Sequence, residues 1–433
     1  MANTYTAPKG TTDLIGVTAR AWEFCTNVAR EVFGRYGYEP IYTPIFEATE
    51  VFTRGLGEAT DVVGKEMYTF EDRGEREITL RPENTAGVVR AAINAGVAGS
   101  IAQGGGVKLY YAGPQFRYER PQKGRQRQFY QIGAEALGFD TPEADAEIIA
   151  MLMAYFPEIG ITRESMRLLI NSMGCAACRP AYRDAVEAFI RAHAGELCER
   201  CVERADTNPL RALDCKNPAC RTVFAAAGAP RLSESLCEAC AVHDAQVKEL
   251  LDLVQITWEQ DDTLVRGLDY YTRTVFEVVA DTGLGASQNA LGGGGRYDGL
   301  AEALGGKSTP GIGFAIGFER VLLVLEAQGA ELAAAGECDL YVACASTDAG
   351  DGLRARAFDF ATQVRDEGWY VQIDLAGRSL KSQMKAADKA GAYFVAILAP
   401  DEDERGGVTL RDMQSKEERF VAYEEFLSVL EAS

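Results

Sequence analysis

Twenty residues, Phe116–Glu135 (FRYERPQKGRQRQFYQIGAE), carry five cations, Arg117, Arg120, Lys123, Arg125 and Arg127, in a chain whose formal net charge is −20. Arginines on strands can make bidentate contacts with phosphate or carboxylate, and Phe116 or Phe129 offers an aromatic face for a planar base. The stretch can therefore hold an anionic, planar ligand. Without one, buried arginines need carboxylates to offset their desolvation, and Glu119 and Glu135 are candidates for that role. A second cluster, RGLDYYTR at 266–273, brings Arg266, Tyr270 and Tyr271 to a strand end, and Arg320 opens a helix after the glycine-bearing run GIGFAIG at 311–317. Three separated arginines beside strands point to a nucleotide clamped on an antiparallel sheet.

Other chemistries are excluded by what is missing. The two histidines, His193 and His243, both lie among the cysteines of the middle of the chain, so a Ser-His-Asp site in the main body is ruled out. Gly306-Lys307-Ser308 is not a phosphate loop, because the first glycine of G-x-x-x-x-G-K-[ST] would fall on Ala301. A different kind of site is suggested by four close cysteine pairs, Cys175/Cys178, Cys198/Cys201, Cys215/Cys220 and Cys237/Cys240. Their spacing favours thiols or metal over disulfides and could bind one or two structural Zn²⁺ ions, with His243 as a spare ligand. Near the C-terminus, Arg378, Lys381, Lys385 and Lys389 recur at helical spacing on one face, either as a solvated charged surface or as a contact for phosphate backbone. The acidic balance of the whole chain argues against a nucleic-acid partner except at such local patches.

The elements that must position these residues follow from patterning. A chain of 433 residues, 47% hydrophobic and 25% charged, is long enough for two or three domains. Apolar residues near a 3.6-residue period predict helices over 19–36, 85–98 and 144–156. Alternation with turn residues predicts hairpins over 67–82 and 108–137, and Pro40 and Pro44 mark 38–46 as an edge or interface strand. The fold class is an α+β core with an antiparallel sheet flanked by helices, a mostly helical cysteine-rich insertion, and a small C-terminal α/β domain. The expected boundaries are 1–171 and 256–330 for the two parts of the core, 172–255 for the insertion, and 336–433 for the last domain, after a linker within 326–337. No apolar run approaches the roughly 18 residues of a membrane span and the N-terminus has no apolar signal-like stretch, so a cytoplasmic protein without a membrane partner is expected.

Together these motifs resemble a known family. FRYERPQKGRQRQF is similar to the second signature motif of class II aminoacyl-tRNA synthetases, GFAIGFER to the third, and the first helix with Tyr38–Phe46 to the dimer-forming first. RPENT, RGLDYYTRTVFE and GGGRYDGL resemble the sequences that set the histidyl-tRNA synthetase family apart, and the matches run from about residue 9 to the C-terminus. The resemblance implies histidine activation with ATP and Mg²⁺, transfer to tRNA(His), and a homodimer. It implies ATP binding by Arg117, Glu119, Arg125, Arg127 and Arg320, with Arg117 on the α-phosphate, Glu119 on the adenine side and Arg320 on the γ-phosphate. Arg266 resembles the arginine that stands where other class II enzymes place a metal ion, so Arg266 and Arg117 are the implied catalytic residues. L-histidine would be held by Glu83, Asn84, Thr85, Arg117, Gln131, Glu135, Arg266, Tyr270 and Tyr271, with Glu135 and the tyrosines reading the imidazole. The insertion would meet the acceptor arm of tRNA, and the C-terminal domain, through Arg378, Lys381, Lys385 and Lys389, the anticodon stem. Asn84 stands where the family has glycine and Tyr130 where it has histidine; strand alternation turns Tyr130 away from Phe129 and Gln131. A regulatory paralogue from histidine biosynthesis, similar in its core but not a ligase, is the alternative.

Overall fold

A computed structural model describes residues 5–57, 60, 62–96, 99, 105–213, 215, 217–225, 228–264, 270–281, 283–284, 289–330, 338–346, 348 and 352–432. The chain divides into two compact units, Met1–Leu332 and Ala333–Ser433.

The first unit is built on an eight-stranded sheet. In spatial order its strands are Glu39–Pro40, Val107–Phe116, Gln128–Leu137, Gly311–Gly317, Ala290–Arg296, Thr272–Ala280, Met166–Ser172 and Glu259–Gln260. The inner pairs are antiparallel, and only the short outermost strands join in parallel. Alternation along Gln128–Leu137 explains why the sheet has one dry face. Ile132, Ala134 and Ala136 point into a core shared with Phe33, Ile148, Leu152 and Phe318 on the helices Val17–Arg35, Pro142–Glu158 and Phe318–Ala327, while Phe129, Gln131, Gly133 and Glu135 turn to the other face. Tyr130 packs with the dry face, its ring 5.0 Å from that of Trp22, as the alternation predicts.

The expected 38–46 strand is instead two short ones. Glu39–Pro40 pairs at the sheet edge, and Phe46–Ala48 joins a separate three-stranded sheet with the hairpin Tyr68–Glu71 and Glu77–Leu80. Between Ser172 and Glu259 the chain is helical, with Arg179–Ala192, Glu199–Thr207, Pro218–Ala225 and Glu238–Leu253 packed around Tyr182, Val186, Cys201, Cys220 and Leu232. A buried ionic knot ties this insertion to the core. Asp145 accepts from His243 Nε2 at 2.8 Å, Thr274 Oγ1 at 2.6 Å and Arg296 Nε at 3.0 Å, and neither Asp145 nor Arg296 has any exposed surface.

The second unit has a five-stranded sheet in the order Val371–Ile373, Leu340–Cys344, Phe394–Leu398, Gly407–Asp412, Glu418–Ala422. The first three strands are parallel, as suits the small α/β domain expected at 336–433; the last two add an antiparallel hairpin that the sequence reading left out. Their polar alternation, with the side chains of Val408, Leu410 and Val421 buried between more exposed neighbours, is the signal that could have revealed it.

Candidate functional site

On the open face of the large sheet lies a cavity of about 240 Å³. Its walls include Arg117, Glu119, Arg125, Phe129, Arg320 and Gly317 toward one end, and Glu83, Thr85, Gln131, Tyr270 and Tyr271 among the rest. Residues from four segments far apart in sequence thus meet in one pocket, because strands of the same sheet lie side by side beneath it and the helix Thr85–Asn94 presents its N-terminus to it.

Among the described residues, one side-chain nitrogen holds the Arg117 guanidinium: its Nε donates to the Pro82 carbonyl at 2.8 Å, and the group lies 5.2 Å from the centre of the Phe129 ring. Among the described residues it forms no ion pair, which leaves its terminal nitrogens suited to an anion. Arg320 Nη1 donates to the Ala290 carbonyl at 2.8 Å. Arg125 is paired with Glu119 at 3.0 Å. Arg127 departs from the expectation of a pocket residue: it stacks on Tyr118, 4.1 Å from the ring centre, and its backbone N–H donates to the Gly10 carbonyl. It stands just before the strand Gln128–Leu137, where its Nε donates to the Glu119 carbonyl at 3.2 Å and the passing Gly10 segment packs against its side chain, which draws it out of the wall.

Glu83 caps the helix that begins at Thr85, accepting from the Thr85 and Ala86 N–H groups at 2.7 and 3.0 Å. The polar helix start and the pocket wall are the same residue, and burial raises its carboxyl above the ordinary range. Gln131 presents a buried Oε1 that has no hydrogen-bond partner among the described residues, an acceptor available to a donor in the cavity. Asn84 stands behind the wall. Its Oδ1 accepts from Thr43 Oγ1 at 2.6 Å, which turns it toward the 41–45 segment.

Glu135 lies beneath the cavity floor rather than in its wall. It is fully buried, and its oxygens accept from Thr85 Oγ1 at 2.6 Å and from the Tyr297 hydroxyl. Burial pushes its carboxyl up to about 8, against the pull of those hydroxyls. Close packing makes this position: a Cβ at Gly133 would strike the Tyr111 hydroxyl, and one at Gly313 would strike Glu135 itself. Tyr111, Glu277, Tyr297 and Glu319 also line the pocket and were not foreseen. Glu319, pushed up to about 7 by burial, accepts from the Tyr130 N–H at 2.9 Å. Glu319 and Tyr297 stood within GFAIGFER and GGGRYDGL, whereas Tyr111 lay in a strand without any motif. Arg266 lies outside the described residues.

The histidyl-tRNA synthetase family model matches residues 10–321, and a model described as an anticodon binding domain matches 339–433. The chain belongs to the histidyl-tRNA synthetase family. Among curated proteins, the histidine–tRNA ligase of Halothermothrix orenii is 45% identical over 412 residues, covering 95% of both chains, and that of Moorella thermoacetica is 48% identical over 413 residues with 95% of both covered. The crystal structure of apo S. aureus histidyl-tRNA synthetase superposes with a TM-score of 0.80 at 36% identity, covering 99% of this chain and all of that one. The α+β core with its antiparallel sheet is thus a histidyl-tRNA synthetase core, and the last unit is of the anticodon-binding kind.

Two further groups of residues are not among those lining the cavity. The eight insertion cysteines form two clusters able to hold a metal ion, Cys175/Cys178/Cys237/Cys240 and Cys198/Cys201/Cys215/Cys220, and within each the four sulfurs all lie within 4.8 Å of one another. His243 is not a ligand to either; it is committed to Asp145. In the anticodon-binding unit, Lys381, Lys385 and Lys389 form an exposed stripe on the helix Leu380–Ala390, but Arg378 precedes that helix. Its backbone N–H donates to Asp374 Oδ2 at 2.6 Å and its guanidinium pairs with the same carboxylate, so the expected four-cation helix face has three members.

Proposed function

We propose that the chain ligates L-histidine to tRNA(His) through a histidyl-adenylate, using ATP and releasing pyrophosphate and AMP. One observation carries the reading: a single cavity in which Arg117, Phe129 and Arg320 share walls with Thr85, Gln131, Tyr270 and Tyr271. An oxygen of the histidine carboxylate attacks the α-phosphorus, and the bond to the pyrophosphate oxygen breaks with its electron pair. No proton has to move, so positioning and charge stabilisation carry the step. Arg117 serves the α-phosphate and the carboxylate, Arg320 the γ-phosphate, and Glu119 the adenine side with Arg125 braced against it. Arg266 is assigned to the α-phosphate as a second catalytic arginine, and Arg127 supports the ATP loop from behind. Mg²⁺ arriving with ATP supplies charge neutralisation at the β- and γ-phosphates. Glu83, Thr85 and the unpaired Gln131 oxygen take the α-ammonium. Tyr270 and Tyr271 face the imidazole, with Glu135 acting beneath them through the Thr85 and Tyr297 hydroxyls. A ribose hydroxyl at the tRNA 3′ end then accepts the histidyl group and AMP leaves.

The same reading covers partners. The exposed Tyr42, Ile45 and Phe46, at 86%, 45% and 56% exposure, suit burial in a homodimer, since large apolar groups clustered on one segment mark an interface. The stripe Lys381, Lys385 and Lys389, with Arg378 at its start, suits the phosphates of tRNA(His). The two thiol clusters are assigned to structural Zn²⁺. Charging tRNA places the chain in the cytoplasm, where translation runs. No described helix is long and apolar enough to cross a membrane. The test is amino-acid-dependent exchange of labelled pyrophosphate into ATP with each of the twenty amino acids. Exchange with histidine alone is expected; none with histidine would overturn the ligase reading in favour of a regulatory relative.

A further inference from the structure

The insertion's two cysteine clusters differ in where they stand. In the first, Cys175 follows directly on the central-sheet strand Met166–Ser172, and Cys237 and Cys240 open the helix Glu238–Leu253 that leads back to the core. Its sulfurs are separated by 3.5 Å between Cys175 and Cys178, 3.8 Å between Cys175 and Cys237, and 3.6 Å between Cys178 and Cys237. Four thiolates around one Zn²⁺ at about 2.3 Å define a tetrahedron with edges of about 3.8 Å. A disulfide would need about 2.05 Å, and a cubane cluster, with each thiolate on its own iron, would spread the sulfurs well beyond this spacing. The Cys175 N–H also points at Cys178 Sγ, 3.3 Å away, as it would toward a metal-bound thiolate. The second cluster is nested within the first in sequence and lies wholly inside the insertion. Its Cys198–Cys215 sulfur separation is 3.8 Å, and the Cys198 N–H reaches Cys220 Sγ at 3.2 Å.

The first cluster is also wired to the pocket. The Arg273 N–H donates to the Gly174 carbonyl at 2.8 Å, and the Met173 N–H donates back to the Arg273 carbonyl. Arg179, immediately after Cys178, donates from Nη2 to the Tyr271 carbonyl. Tyr271 itself belongs to the insertion's apolar core, with Tyr182, Val186 and Cys201, and Tyr270 packs against the same core. The backbone of the Tyr270–Arg273 segment is therefore fastened to the loop that carries Cys175 and Cys178.

We propose that each cluster binds one Zn²⁺ and that the ion at Cys175, Cys178, Cys237 and Cys240 positions the Tyr270–Tyr271 wall of the amino-acid pocket, while the ion at Cys198, Cys201, Cys215 and Cys220 holds the insertion's helices together and reaches Tyr271 through their shared apolar core. The role of the wall rests on the proposed histidine chemistry; the ion count does not. Unlike a purely structural metal, the first ion acts on amino-acid affinity selectively.

Metal analysis of the purified full-length protein, dialysed against metal-free buffer, is expected to give about two zinc ions per chain, and replacement by Co²⁺ to give the visible bands of tetrahedral tetrathiolate cobalt. The double variants Cys175→Ser/Cys178→Ser and Cys198→Ser/Cys201→Ser should each retain one ion. In pyrophosphate exchange, loss of the first site should raise the histidine KM roughly tenfold with kcat and the ATP KM within about twofold; loss of the second, which touches Tyr271 through apolar packing alone, should raise the histidine KM by no more than about twofold. Chelator treatment of the wild-type protein followed by Zn²⁺ restores or fails to restore the low KM without any substitution, so a misfolded variant does not decide the matter. Fewer than one ion per chain, iron in place of zinc, or an unaltered histidine KM after loss of the first site would each overturn the proposal. Two zinc ions without any histidine-dependent exchange by the wild type would instead leave the sites standing and remove the ligase reading.

Discussion

Glu135 can occupy its place only because Gly313, its partner across the sheet, has no side chain: a Cβ there would overlap Glu135 Oε2. The Gly313→Ala variant is expected to displace the carboxylate from the Thr85 and Tyr297 hydroxyls. The expected outcome is a loss of stability of about 1–3 kcal/mol from overpacking and at least a hundredfold fall in histidine-dependent pyrophosphate exchange. Gly34→Ala, where nothing lies within 4 Å of the added methyl, is the control and should melt no lower than wild type.

The burial of Glu135 sets a pH dependence whose sign is definite. Its carboxyl is raised from 4.5 to about 8, so between those values the folded protein holds a proton that the unfolded chain has released. Stability from this group is complete below 4.5 and falls as pH rises toward 8, by roughly 1.4 kcal/mol per pH unit. Glu135→Gln removes that titration. Chemical denaturation from pH 5 to pH 8 should show the variant gaining on the wild type across the window; a constant difference would refute the buried, protonated state. Glu83, raised in the same direction by its burial, contributes a slope of the same sign in both proteins, so the difference between them reports Glu135.

Arg117, anchored by one hydrogen bond and otherwise facing the cavity, should be intolerant even of lysine. Arg117→Ala is expected to slow adenylate formation by on the order of 10²–10³-fold in single-turnover assays, the size of a lost preorganised donor, and Arg117→Lys to recover little, because the planar fork is what fits phosphate and carboxylate together. Arg266→Ala is expected to fall in the same range.

The lysine stripe gives a prediction that separates the two half-reactions. With Lys381, Lys385 and Lys389 all changed to Ala, pyrophosphate exchange should stay normal while the KM for tRNA rises. The dependence of log affinity on log salt should flatten by about 0.7–0.9 for each phosphate contact removed. An unchanged salt slope would mean that the stripe is only solvated.

Asp145 and Arg296 are buried with no exposed surface and answer each other's charge. Asp145→Ala leaves Arg296 without its main partner and frees His243 and Thr274, so a loss of about 3–5 kcal/mol is expected, measured by thermal unfolding. Protease sensitivity should appear first in the insertion, which Asp145 ties to the core through His243.

The residues proposed for the chemistry were legible because their types are unusual for an acidic chain: arginines on strands, paired cysteines and lysines at helical spacing announce themselves by charge or by coordination chemistry. The helices over 17–35 and 142–158 and the hairpin at 107–137 were legible because a buried face imposes a period that the sequence must carry. What escaped was whatever depends on two distant segments meeting. Tyr111, Tyr297 and Glu319 became pocket walls only once strands far apart in sequence lay side by side. Arg127 and Asn84 left the wall because neighbouring segments offered them other partners, and Arg378 left the helix face because Asp374 held it at the helix start. The pairing of eight cysteines into two sets of four could not be read from spacing, since close pairs allow several combinations. By itself, then, the sequence determined the inventory, meaning which side chains could bind anions, metal and tRNA, and the local elements that carry them. Only the tertiary structure decided their company, because hydrogen bonds and burial are properties of neighbours in space. Glu135 shows the difference most plainly: a carboxylate in the sequence, it becomes a buried acid beneath the pocket floor once Thr85, Tyr297 and Gly313 close around it.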